Sequence, residues 1–94
     1  KKPLAGYSDI TSLLLWQLRH AALVGFHSPM LDRQGGLEDV ELDSMISMLM
    51  GRKGYEILQG IGLSGTTAVG TLMGGSLTMV VASLGTSWEI DTRG

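Results

Sequence analysis

Ser8, within "LAGYSDI", is the residue of this chain best placed to do chemistry. A hydroxyl nucleophile needs exposure to substrate, a base to take its proton, and N–H groups to hold the oxyanion. Ser8 follows a short apolar stretch and the pair Gly6-Tyr7, and it precedes the first turn of an expected helix. That strand–turn–helix placement is the one a nucleophile elbow uses. The N–H of Asp9, next in the chain, would supply one oxyanion donor, and Gly6 permits the close backbone approach an elbow needs. The second glycine of G-x-S-x-G is absent, since Ile10 holds its place. The same placement equally describes an N-cap, the hydroxyl accepting from the free N–H groups of the first turn. On the residues alone both readings of Ser8 stand.

The remaining candidates are fewer. His27 falls where a strand would end, followed by Ser28 and Pro29, at the edge where α/β proteins build their sites. A substrate contact and a loop histidine bonded to backbone both fit it. His20, on the first expected helix, reads as a surface or boundary residue. The two histidines have no carboxylate at ligand spacing, so they do not make a zinc site. The absence of cysteine excludes a thiolate nucleophile, a disulfide framework and a cysteine-ligated metal. "GIGLSG" matches G-x-G-x-x-G through Gly60, Gly62 and Gly65, but "TTAVGTLMGG" after it opens no helix. The dinucleotide fingerprint requires that helix, so a strand–turn–strand connection is the better reading and no cofactor is expected.

The elements that must position these residues follow from apolar spacing. A first helix is expected from Asp9 or Ile10 to about Leu23, with Ile10, Leu13, Leu14, Leu18, Ala21 and Ala22 on one stripe that Leu15 and Trp16 widen. Leu23 to Phe26 reads as a short strand, and the residues up to Ala5 as the end of another. A second helix is expected over about Leu37 to Met50, with Leu42, Met45, Ile46 and Leu49 on one face and acidic residues early. "YEILQ" and "TAVGTLM" read as strands. Ser76 to Leu84 reads as a short helix that Gly85 ends at the C′ position.

The bulk properties narrow the partners. The chain has 94 residues, a formal charge of -2 and scattered basic residues, which argues against a nucleic-acid face. No charged residue lies between Ile57 and Trp88, yet the glycines there interrupt any run of the roughly 20 apolar residues a membrane span needs. No signal peptide is evident, and both ends read as interrupted, so a segment of a longer protein is expected.

Three blocks, "GYSDITSLLL", "LVGFHSPML" and "GTLMGGSLTMVVASLGTSWE", resemble, in this order, three segments of the LD-carboxypeptidases. These are serine peptidases of bacterial cell-wall recycling, and the microcin C immunity peptidases share their fold. The resemblance implies a two-domain α/β fold: residues 1–56 would close a Rossmann-like nucleophile domain, and residues 57–94 would open a second, β-rich domain. It makes Ser8 the nucleophile of a Ser-His-Glu triad; beside it the Asp9 N–H is expected as an oxyanion contact, and His27 and Ser28, from their place at the strand end, as substrate contacts. The resemblance also implies that the triad histidine and glutamate lie in the second domain, beyond the block ending near Gly94; neither His20 nor His27, and neither Glu56 nor Glu89, matches them. Ser28 stands where the family usually has glycine, and Ser76 where it usually has asparagine; Ser76 is still expected to cap the helix after it. The implied activity is hydrolysis of the L,D-peptide bond to the terminal D-alanine of murein tetrapeptides, in the cytoplasm, without cofactor, nucleic acid or membrane. A homodimer is compatible with this. The alternatives are a microcin C-type acyl-adenylate peptidase, and a non-catalytic module in which Ser8 is only a cap.

Overall fold

The structure is a computed structural model and describes residues 2–52, 60–63, 65 and 67–93. In chain order the elements are β1 (Ala5–Gly6), a 3-10 turn (Ser8–Ile10), α1 (Thr11–Ala21), β2 (Phe26–His27), α2 (Asp39–Leu49) and α3 (Leu77–Ser83). This mixture of helices and a parallel sheet is compatible with the α/β class. Contacts group the chain into two units, Lys1–Met30 with Leu72–Gly94, and Leu31–Thr71.

In the first unit β1 and β2 pair in parallel, Ala5 opposite Phe26 and Gly6 opposite His27. The Phe26 N–H donates to the Leu4 carbonyl and the Ser28 N–H to the Gly6 carbonyl, each at 2.9 Å. Parallel neighbours need a crossover, and α1 provides it. Its core side chains are Leu14 and Leu15, 8 % and 4 % exposed. Leu13 and Trp16, expected on the buried stripe, are instead half-exposed, because a two-stranded sheet and α3 cover one side of α1 and leave the flanks open.

α1 ends earlier than the spacing predicts. Ala22 turns left-handed at φ 49, and its N–H closes on the Leu18 carbonyl at 3.1 Å. Gln17 Nε2 then donates to the carbonyls of Leu23 and Val24, at 3.4 and 2.9 Å. With those carbonyls taken by a side chain, the strand expected over Leu23 to Phe26 begins only at Phe26 and carries His27 inside it.

α3 packs on α1, and its Ser83 is fully buried. The Ser83 hydroxyl donates to the Val80 carbonyl at 2.7 Å and accepts from the Ile90 N–H at 3.2 Å, so its burial leaves no polar atom unpaired. Gly85 is left-handed (φ 77) just beyond the helix, as expected. Ser76 occupies the N-cap position, but its side chain makes no capping bond, contrary to the expectation.

The second unit holds α2, which starts two residues later than the expected Leu37. The Glu41 carboxylate accepts the Glu38 N–H at 2.9 Å and takes both prongs of the Arg33 guanidinium, at 3.1 and 2.6 Å. The Arg33 bond, and after it the Glu38 amide, holds the Glu41 carboxyl below its ordinary pKa. None of the α2 residues is buried, so the expected face of Leu42, Met45, Ile46 and Leu49 remains largely open. The expected strand over residues 67–73 does not form: a strand needs a neighbour to take its ladder bonds, and Val69 and Leu72 are fully solvated. "YEILQ" and the expected boundary at residues 56/57 lie outside the described residues. No helix among the described residues is long and apolar enough to cross a membrane.

Candidate active site at the β1–α1 turn

The chain leaves β1 through Tyr7, which is extended (φ -122, ψ 153), and enters the helical turn through Ser8, which is left-handed (φ 52). An L-residue held there costs roughly 1–2 kcal/mol. Gly6 makes the turn tight: a Cβ on it would stand 2.7 Å from the Cβ of Ile10 and closer still to that side chain's Cγ2. The backbone therefore folds back directly behind the serine. This is the sharp strand-to-helix turn that defines an elbow.

The Ser8 side chain is exposed, and its hydroxyl takes part in no hydrogen bond among the described residues. The N-cap position of the turn belongs to Tyr7, and no side chain caps it. The left-handed Ser8 thus makes no capping bond with its hydroxyl among the described residues. Asp9 follows in the first turn, where N–H groups lack intrahelical acceptors and the helix end carries partial positive charge.

The parallel pairing brings the other candidates to this end of the sheet. His27 lies opposite Gly6, and its ring packs on Tyr7 with centroids 5.8 Å apart and planes tilted by 50°. Ser28 follows, tied to Gly6 by its N–H. Ser8, Asp9, His27 and Ser28 all lie at the carboxyl ends of two parallel strands, the position where ligands bind in open α/β sheets.

The remaining titratable candidates are engaged elsewhere. The His20 Nε2 lies 3.2 Å from the Ser87 carbonyl, and its ring packs on Trp16 at 5.3 Å. The Glu89 carboxylate accepts the Gly85 N–H at 2.7 Å. Asp91 is paired with Arg93, whose guanidinium and N–H lower its carboxyl pKa to about 2. Glu56 lies outside the described residues. A hollow of about 230 Å³ between Leu15, Arg19, Met73 and Ile90 includes none of the four site candidates. Among the described residues no group of histidines and carboxylates could hold a metal.

One residue beside the turn escaped the sequence reading. Thr11 is fully buried, its Oγ1 accepts the Ser76 N–H at 3.0 Å, and Gly75 packs against its side chain. The signal available was the Gly74-Gly75 doublet, which marks a backbone pressed close to something else.

A Bacillus subtilis (strain 168) protein provisionally named murein peptide carboxypeptidase is 40% identical over 95 residues, covering 95% of this chain and 30% of that protein. A Rickettsia conorii protein provisionally named carboxypeptidase is 32% identical over 107 residues, covering 95% of this chain and 31% of its own length. The chain is homologous to these carboxypeptidases. It spans less than a third of the length of either carboxypeptidase, so what it shares with them is one stretch of their chains. No family model matches the chain, and no solved structure matches it significantly.

Proposed function

We propose that the protein acts as a serine carboxypeptidase on murein tetrapeptides, in the cytoplasm, with Ser8 as nucleophile. The observation that carries this reading is the Ser8 conformation: left-handed and exposed, with a hydroxyl that has no hydrogen-bond partner among the described residues. The murein peptide named for the Bacillus relative supports the substrate class. Ser8 Oγ attacks the carbonyl that joins an L-centre to the terminal D-alanine. Its proton passes to a histidine that a glutamate orients, both supplied from outside these 94 residues. The Asp9 N–H holds the oxyanion of the tetrahedral intermediate, a contact worth about 2.7–4 kcal/mol in comparable sites. Collapse breaks the C–N bond, the histidine returns the proton to the departing amine of D-alanine, and water then hydrolyses the acyl-enzyme. His27 and Ser28, at the same sheet end, are the substrate contacts.

The test is fluorophosphonate labelling and D-alanine release in the full gene product, with and without Ser8→Ala. Labelling that disappears with the hydroxyl, together with lost release, is the expected result. Release that persists near the unmodified rate in folded Ser8→Ala protein would sink the assignment.

A further inference from the structure

Thr11 is where the Ser8 turn meets the chain's third block. Its N–H reaches back to the Ser8 carbonyl, and its side-chain oxygen, fully buried, accepts the Ser76 N–H at 3.0 Å. A Cβ on Gly75 would lie 2.5 Å from that oxygen and 2.6 Å from the Thr11 methyl carbon. Gly75 therefore presses its bare backbone onto Thr11 at φ 150, a conformation side chains rarely adopt.

The consequence lies one residue further out. Gly74 is exposed at φ 149, with open space where a side chain would stand. No hydrogen bond among the described residues uses the N–H or C=O of Gly74 or Gly75. The glycine pair is thus fastened to the turn that bears the serine, its donors and acceptors free among the described residues, with Thr11 behind Gly75 and open space beside Gly74. An extended peptide is recognised by main-chain bonding of this kind.

On the footing of the role given to Ser8, we propose that Thr11 is a positioning residue: through Ser76 it holds Gly74–Gly75 as the strip to which the substrate's backbone bonds while its scissile carbonyl reaches Ser8. Thr11→Val keeps the shape and removes the acceptor, whereas Thr11→Ser keeps the acceptor. The Val variant should raise KM for the tetrapeptide by about 10-fold, the effect of losing one or two main-chain contacts. Fluorophosphonate labelling of Ser8, which needs no peptide docking, should stay within about twofold of the unmodified rate, and Thr11→Ser should restore KM. Gly74→Ala tests the strip with Thr11 intact, should also raise KM selectively, and decides alone if the Val variant does not fold.

These measurements belong in the full gene product, with thermal unfolding alongside. An unchanged KM in a folded Thr11→Val protein, or in Gly74→Ala, overturns the strip, and so does labelling that falls in step with turnover. Absence of Ser8-dependent labelling in the unmodified protein overturns the nucleophile and the strip together, whereas intact labelling with unchanged KM removes the strip alone.

Discussion

Two non-glycine residues in the left-handed region bracket the 3-10 turn and α1, Ser8 at φ 52 opening the turn and Ala22 at φ 49 just past the helix. At Ala22 the conformation has a local use: its N–H closes on the Leu18 carbonyl, and the helix stops. At Ser8 the carbonyl accepts the Thr11 N–H, but the side chain gains no bond among the described residues and stays exposed. The same backbone angle ends a helix at Ala22 and opens a turn with an unbonded hydroxyl at Ser8. Backbone strain of this kind is often kept at functional sites, which is why the proposed role of Ser8 is tested against Ala22.

The largest expected effect separates the two ends by activity. Ser8→Ala should lower peptide turnover by about 10⁴-fold or more, the scale of losing a triad nucleophile, while Ala22→Gly leaves turnover unchanged. Steady-state kinetics on both variants checks this, and equal losses would break the contrast. Because Ser8 makes no capping bond, its replacement by alanine should change stability by less than about 0.5 kcal/mol in urea unfolding.

Gly6→Ala comes next. The added methyl meets Ile10, so a loss of about 1–3 kcal/mol is expected, with slower Ser8 labelling as the turn is pushed open. Ser8→Gly and Ala22→Gly should each stabilise the fold slightly, by about 0.5–1 kcal/mol, as relief of left-handed strain outweighs added chain entropy. A clear stabilisation at Ala22 alone would show that Ser8 is held without strain.

The smallest effect concerns α2, whose start is capped by a side chain where that of α1 is not. Glu41 has a folded pKa below its ordinary value, so its contribution is present above the unfolded carboxylate range and is lost as pH falls through the lowered folded value. Far-UV circular dichroism should show a slight acid-side loss of helix that Glu41→Gln removes and that salt weakens, since the Arg33 pair is partly exposed. A loss unchanged in Glu41→Gln would place the acid sensitivity elsewhere.

The helices were legible because α1, α2 and α3 each keep a 3.6-residue spacing of apolar positions; their ends shifted by one or two residues. The early stop of α1 carries no marker, since alanine is an ordinary helix former and only the Gln17 bonds and the Leu18 closure reveal the turn. Residues 67–73 have strand-like composition, but strand formation depends on a partner, which local sequence does not encode. Ser8 was visible as a candidate and undecided between cap and nucleophile, because both uses favour the same residue in the same place; what the structure adds is that Tyr7 holds the N-cap position and the Ser8 hydroxyl makes no capping bond. Thr11 was invisible because its partner is 65 positions away.

That separation bears on the order in which the molecule assembles. The strand pairing of residues 5 and 26 closes a short loop around α1, whereas the Thr11–Ser76 bond closes one roughly three times longer. Loop-closure entropy makes the longer closure dearer by about 1 kcal/mol, and non-local contacts form late. The serine's turn would therefore take shape early in refolding, and the glycine pair would arrive afterwards. Peptide turnover should then recover more slowly than Ser8 labelling, a lag readable by stopped-flow dilution from urea.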